Sequence, residues 1–131
     1  DFYTIRLPQG SRLTVPVERA EALGVRRVVN GLAAIAAYLH APVRPLPDDD
    51  RARLIELKAC WRAPQPAAVA QAVCDLLGRS HTHRLTPSDK RWLTSACERM
   101  SAEAALVDAI DLFRARAAIQ QEMDSLKPAA A

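Results

Sequence analysis

The placement of the prolines constrains this chain more than any other feature of its sequence. Pro42, Pro45 and Pro47 lie close together, and Pro64 and Pro66 form a second group. A proline inside a helix removes a backbone hydrogen bond and clashes with the preceding turn, so no helix can cross either group. The chain must therefore fold into short segments that are joined at these positions.

Apolar residues recur at helical spacing between the prolines, which predicts five helices. We expect the first helix to have Asn30 as its N-cap and to end by Pro42. The second helix should follow the aspartates at 48–50, because the positive end of a helix dipole attracts carboxylates, and it should end by Pro64. The third helix should begin near Pro66.

Capping residues mark the ends of the later helices. Gly78 suits the C′ position after the third helix. Thr86, Pro87 and Asp89 predict the start of the fourth, because they supply an N-cap hydroxyl, a proline at N1 and a carboxylate at N3, which approximates a capping box. Asp111 should cap the fifth helix.

The apolar stripes of these helices predict a single bundle with an aliphatic core, since aromatic residues make up only 5% of the chain. We expect residues 18–126 to form this mainly α-helical domain, and residues 127–131 to be a disordered tail. The predicted core consists of Leu32, Ile35, Leu39, Leu54, Leu57, Trp61, Val69, Val73, Leu76, Leu93, Cys97, Met100 and Ile119.

The first 17 residues have the two-residue period of β-strands. Tyr3, Ile5 and Leu7 share one face of an extended segment, and Leu13, Val15 and Val17 share one face of the next. Residues 7–10, with a proline second and a glycine fourth, suit a type I turn between them. Two strands alone are marginally stable in water. This β-hairpin therefore either packs on the helices or belongs to a larger sheet.

The sequence lacks the motifs of the common enzyme classes. There is no glycine-rich phosphate loop, nucleophile elbow or HExxH motif, so we expect no catalytic activity, no cofactor and no small-molecule substrate. His81 and His83 could share a metal ion, but no further ligands are obvious nearby, and we predict no metal site. The aspartates at 48–50 lack the EF-hand pattern.

The cysteines and the hydropathy pattern bear on the compartment. Cys60, Cys74 and Cys97 are odd in number, far apart and without a CxxC motif, which favours small apolar thiols in a reducing cytoplasm over disulfides or a zinc ribbon. No apolar run approaches the length of a membrane span, so we expect no membrane association.

Positive charge is concentrated in one window. The net charge is only +3, but residues 79–91 carry Arg79, Arg84, Lys90 and Arg91 against Asp89, which gives this window a local charge of +3. Such a window can be a phosphate-binding patch, or a solvated loop followed by the exposed first turn of a helix. Charge alone does not separate the two interpretations.

Three stretches in this order resemble the CarD/CdnL family of bacterial RNA-polymerase-binding transcription regulators. They are VPVERAEALGVR at residues 15–26, VAQAVCDL at 69–76 and LTPSDKRWL at 85–93. The resemblance extends from about Phe2 to about Met123, and its specificity lies in the order and spacing of the motifs.

The resemblance implies a two-part protein. In this family an N-terminal Tudor-like β-domain binds the RNA polymerase β subunit, and a C-terminal helical domain contacts promoter DNA and stabilises the open complex. Residues 1–17 would then be the last two strands of an incomplete polymerase-interaction domain, and Arg12 would contact the polymerase. The expected function is modulation of promoter opening.

The DNA-facing positions depart from the family pattern. Where the family has a tryptophan that wedges into the minor groove, this chain has Asp50, and the basic positions after it fall on Ala52, Arg53 and Ile55. A carboxylate repels phosphates, so DNA contact should be weak and non-specific, or lost. Trp61 lies on the core stripe and is expected to pack rather than to wedge.

The candidate DNA-contacting residues that remain are Arg53, Lys90, Arg91 and Arg84. The expected partners are the RNA polymerase β subunit and, weakly, promoter DNA. The alternative function is a helical protein–protein adaptor that keeps this fold without binding DNA.

Overall fold

The computed structural model describes residues 1–6, 11–19, 31–65 and 67–128, and it confirms a mainly helical fold preceded by a β-hairpin. Strands β1 (Phe2–Arg6) and β2 (Arg12–Pro16) pair antiparallel, with Tyr3 opposite Val15 and Ile5 opposite Leu13, so the predicted apolar faces coincide. Val17 was predicted in the second strand, but that strand ends at Pro16, and Val17 begins a short 3-10 helix, Val17–Arg19. The predicted turn at 7–10 lies outside the described residues, and so does Asn30. The predicted N-cap is nevertheless wrong by one residue, because Gly31 occupies the N-cap position of α1.

Five helices form the bundle, and the third lies at its centre. They are α1 (Leu32–Leu39), α2 (Asp50–Arg62), α3 (Ala68–Arg79), α4 (Pro87–Asp108) and α5 (Leu112–Ser125). Helix α3 packs against α1, α2 and α4, while α5 packs against α4 and α1. Eight of the 12 residues of α3 are buried, because neighbouring helices cover it on several sides.

The helix starts follow the capping signals. The Thr86 hydroxyl accepts from the Asp89 backbone N–H at 3.1 Å, and the Asp89 carboxylate accepts from the Thr86 backbone N–H at 3.0 Å, which completes the capping box of α4. Asp111 caps α5 by accepting from Phe113 at 2.7 Å. Asp49 caps α2 by accepting from Ala52 at 2.8 Å.

The predicted end of α3 is wrong. The helix continues through Gly78, ends at Arg79 and has Ser80 as its C-cap, so Gly78 is a helical residue and not the C′ residue. Its lack of a side chain has a packing reason instead. A Cβ at this position would lie 2.5 Å from Cγ1 of Val43, so only glycine lets the linker before α2 approach α3 this closely.

The core largely agrees with the predicted stripes. Ten of the 13 predicted residues are buried, and Leu32 and Trp61 are partly buried against the core cluster. Leu54 is only half-buried and lies outside that cluster. Val15, which is buried among the described side chains of the hairpin, also lies outside that cluster. None of the helices in the described ranges is long and apolar enough to cross a membrane.

Candidate functional site

The structure brings together the starts of α2 and α4, the two helix ends that carry the predicted DNA-contacting residues. The link between them is the side chain of Arg53, in the first turn of α2, which reaches Asp89 in the first turn of α4. Residues 36 positions apart in sequence thus form one structural unit.

Every N–H group of the Arg53 guanidinium has an acceptor. Nε and Nη2 donate to the two carboxylate oxygens of Asp89 at 3.1 and 3.2 Å, and Nη2 also donates to Asp50 at 2.7 Å. Nη1 donates to the backbone carbonyls of Pro47 and Asp48, both at 3.1 Å. With five donors and five bonds, the guanidinium is saturated by the protein itself.

The Arg53–Asp89 pair is almost fully buried, with Arg53 only 1% and Asp89 4% exposed. Burial raises the pKa of Asp89, but the hydrogen bonds donated by Arg53 and Thr86 lower it by more, so its pKa lies below the usual value. The hydrogen bond to Asp89 likewise raises the pKa of Arg53 above its usual value. The capping box and the ion pair therefore share one ionised carboxylate.

This geometry corrects one predicted site residue. Arg53 was expected to contact DNA phosphates, but its side chain is buried and all its donors are occupied inside the protein. Its role in this structure is to connect the linker, α2 and α4. We therefore remove Arg53 from the set of candidate DNA-contacting residues.

Each of the three consecutive aspartates at the start of α2 has a separate structural partner. Asp48 accepts from Arg79 at 2.9 Å, which lowers the pKa of Asp48, while Asp49 caps the helix and Asp50 accepts from Arg53. The Asp50 side chain is nevertheless 78% exposed. The surface at the start of α2 is thus acidic.

The other three candidate DNA-contacting residues are exposed. Arg84 lies in the loop before α4, and Lys90 and Arg91 lie in the first turns of that helix. An Arg91 Nη2 atom donates to the Ser88 hydroxyl at 3.2 Å, within the same helix end. Because the side chains lie at the surface, the structure leaves this basic stretch accessible to an anionic partner.

The candidate polymerase-contacting residue is also accessible. Arg12 is the first residue of β2, where it pairs with Arg6 across the hairpin, and it is exposed. Phe2 and Leu13 are exposed in the same two strands. The hairpin therefore presents both charge and apolar area to solvent.

The two histidines of the α3–α4 loop point to different partners. His81 Nε2 lies 2.8 Å from the Leu126 carbonyl oxygen, whereas His83 contacts the Thr82 hydroxyl at 2.8 Å and lies 3.5 Å from an Asp48 oxygen. Within the described ranges no three His, Cys, Asp or Glu side chains are grouped so that they could hold a metal ion.

Sequence reasoning did not find a second buried acid, Asp75 on α3. It accepts from the Arg44 backbone N–H at 2.8 Å, from the Arg44 side chain at 3.2 Å and from Gln71 at 2.8 Å. Gln71 also donates to the Pro42 carbonyl at 3.1 Å. The available signal was an aspartate inside an apolar helix stripe, since a buried acid requires such partners.

The chain matches neither a known protein-family model nor a curated protein. The contacts and exposed residues described above are therefore the observations from which a function can be proposed.

Proposed function

We propose that this chain is a CarD-like regulator of bacterial transcription initiation. It contacts the RNA polymerase β subunit through the hairpin that carries Arg12, and it contacts promoter DNA weakly through the start of α4. The observation that carries the proposal is the joining of the α2 and α4 starts by Arg53 and Asp89, beside an exposed basic stretch. These are the helix ends that face DNA in the family that the sequence resembles.

The exposed cations suit backbone contacts rather than base readout. Arg84, Lys90 and Arg91 can neutralise phosphates, and such contacts position a protein on duplex DNA without reading its sequence. The aspartates at 48–50 lie at the start of α2, where Asp48 contacts Arg79 and Asp50 contacts Arg53, and they repel phosphates, which keeps the affinity low. Modulation of promoter opening would then depend mainly on docking to the polymerase.

The test is a promoter-opening assay with bacterial RNA polymerase holoenzyme and a promoter fragment labelled near the start site. Adding the chain should change the fraction and the lifetime of open complexes. Because docking to the polymerase makes the main contribution, Arg12→Ser should lose most of this effect, whereas Arg114→Ser, which changes an exposed arginine on α5, should retain it. No effect of the wild-type chain at saturating concentration, together with no binding to the β subunit, would contradict the proposal.

Salt dependence tests the DNA contact separately. Three phosphate contacts should reduce affinity for duplex DNA about 40-fold between roughly 50 and 200 mM salt, and loss of two of them should leave a decrease of only about fourfold. Fluorescence anisotropy with labelled duplex measures both values. Equal slopes for the wild type and the Arg84→Ser/Lys90→Ser variant would exclude these residues as phosphate contacts.

A second candidate function, a helical protein–protein adaptor, is favoured by an apolar corner between α4 and α5. Leu106, Val107, Leu112 and Phe113 are exposed there, around Ala109, whose φ is 54°. Phe113 and Leu106 are each 74% exposed. Several large exposed apolar side chains close together are typical of a surface that binds another protein.

The two functions differ in their response to salt and to substitution of the corner. An adaptor should bind RNA polymerase with little change between roughly 50 and 200 mM salt. Phe113→Ser should then weaken that binding, while Ile55→Ser, on α2 and outside both the hairpin and the corner, serves as a similarly exposed control. A DNA affinity with a steep salt slope, and a polymerase affinity unaffected by Phe113→Ser, would favour the regulator.

A further inference from the structure

A second surface feature lies between α2 and α4. Of the proposed DNA-contacting residues, only Arg91 also belongs to this feature. It is an open groove of about 440 Å³, which we call the α2–α4 groove. Leu54, Trp61 and Trp92 form its apolar floor, and Lys58, Arg62 and Arg91 form its rim. On α2 these residues span positions 54–62, about 12 Å of helix at 1.5 Å per residue.

The floor of the groove is held in place by contacts among its aromatic side chains. The Trp61 and Trp92 rings meet edge to face, with centroids 6.2 Å apart and an interplanar angle of 73°. The Arg99 guanidinium lies 4.6 Å from the Trp61 ring centroid, and Arg99 Nη1 donates to the Trp61 carbonyl at 2.6 Å. An occupant would therefore meet a preformed apolar surface, which reduces the ordering that binding requires.

The rim of the groove carries only positive charge. Lys58, Arg62 and Arg91 are exposed, and no acidic side chain is among the described residues that line the groove. Leu54, although it was expected in the core, lies on this floor and outside the core cluster. The complementary ligand thus has an apolar stripe flanked by negative charges.

We infer that the α2–α4 groove binds an acidic amphipathic helix of a partner protein. About two turns of such a helix match the length of the groove, with apolar side chains on Leu54 and the two indoles and carboxylates toward the three cations. Nucleic acid suits the groove less well. Arg99 covers one face of Trp61, and Trp92 is only 9% exposed, so little indole surface is left on which a base can stack.

The first experiment uses a synthetic peptide of about 14 residues with leucines on one helical face and glutamates on the others. The chain has two tryptophans, and both line the groove, so their emission reports occupancy directly. Titration should give a saturable change in tryptophan emission. A peptide of the same composition in scrambled order, and one with lysine in place of each glutamate, should bind at least tenfold more weakly.

Charge reversal supplies a stringent control. Lys58→Glu/Arg62→Glu should weaken binding of the acidic peptide roughly tenfold, and the same variant should gain affinity for the lysine peptide, because opposite charges are restored. On the floor, Leu54→Gln should weaken binding roughly fivefold. Ile55→Gln, one residue further along α2 at an exposed site outside the groove, should leave it unchanged.

The outcome is separable from that of the proposed DNA contact. Arg84→Ser/Lys90→Ser should affect duplex DNA affinity and leave peptide affinity intact, because neither residue lines the groove. Four results would overturn the inference: no saturation, equal binding of the scrambled peptide, displacement of the peptide by duplex DNA in the Arg84→Ser/Lys90→Ser variant, or a change in tryptophan emission that depends on the concentration of the chain itself. The third would indicate a nucleic-acid site, and the fourth a second copy of this chain.

Discussion

Replacement of Arg53 by Met tests whether the buried bridge between α2 and α4 stabilises the fold. Met retains much of the apolar stem but removes all five hydrogen bonds. Asp89 would stay buried, with the Thr86 backbone N–H as its remaining described donor. Removing one partner of a buried ion pair costs about 3–5 kcal/mol. For a domain of this size that corresponds to a decrease in Tm of roughly 10–20 °C.

The assay is urea and thermal unfolding followed by circular dichroism, arranged as a double-mutant cycle. Asp89→Asn alone leaves the buried Arg53 charge with only the exposed Asp50 as a counterion. Arg53→Met/Asp89→Asn leaves neither charge of the pair and keeps a side-chain oxygen as the acceptor for the cap. The double variant should therefore lose less stability than the sum of the single variants, by about 2–3 kcal/mol. Arg51→Met, at an exposed position two residues earlier, is the matched control. If the stability losses of the two single variants add up in the double variant, or if Arg53→Met is as stable as the control, the reasoning is refuted.

Three further expectations concern stability. Leu57→Ala should destabilise the bundle by about 2–5 kcal/mol, because Leu57 is fully buried, while Ile55→Ala, at an exposed position, should have little effect. Equal unfolding midpoints for the two variants would show that the buried face of α2 is assigned wrongly. Gly78→Ala should destabilise by roughly 1 kcal/mol despite the better helix propensity of alanine, because the new Cβ meets Val43, and Val43→Ala in the same chain should restore stability. Folding lowers the pKa of Asp89, so the stabilisation that its ionised carboxylate provides is complete above about pH 4. This stabilisation is lost as the pH falls through the pKa that Asp89 has in the folded protein. Urea titrations between about pH 7 and 3 should therefore show a steeper acid loss in the wild type than in Arg53→Met.

The helix starts could be predicted because their signals are local. A cap is completed within four residues, as Thr86 and Asp89 show, so the sequence contains all of its partners. The apolar stripes were predictable for the same reason, since a helical period is a property of one segment. These signals were sufficient for the number of helices and for most of the core.

The features that were not predictable depend on contacts between distant segments. Gly78 resembles a helix terminator in sequence, but Val43, 35 residues earlier, explains why it has no side chain. Trp92 was absent from the predicted core because α4 was given one buried stripe, whereas α4 packs against α2 and α3 as well as α5. A helix covered on several sides buries more than one face, and periodicity alone does not reveal its neighbours.

The candidate site shows the same limit at the level of single residues. In the sequence, Arg53 is a basic residue near the start of a helix, and residues of this kind commonly contact phosphates. Its burial depends on Asp89, and no local pattern pairs residues 53 and 89. The exposed positions Arg84, Lys90 and Arg91 were correctly expected at the surface because they lie in a polar loop and a helix start. Whether they bind DNA stays a prediction.

Asp50 allows the proposed relation to a wedge-carrying family to be tested directly. Its side chain is 78% exposed and has one described contact, the hydrogen bond from Arg53, so Asp50→Trp should destabilise the fold by only about 1 kcal/mol. If this position faces DNA, the new indole should strengthen binding to a duplex with an unpaired step more than to an intact duplex, because a wedge gains only where a step can open. Arg51→Trp, at the neighbouring exposed position, controls for added apolar area. Anisotropy titrations at two salt concentrations provide the comparison. Tight, bubble-selective binding by the unmodified chain, or the same gain on both duplexes, would show that DNA does not meet this protein at Asp50.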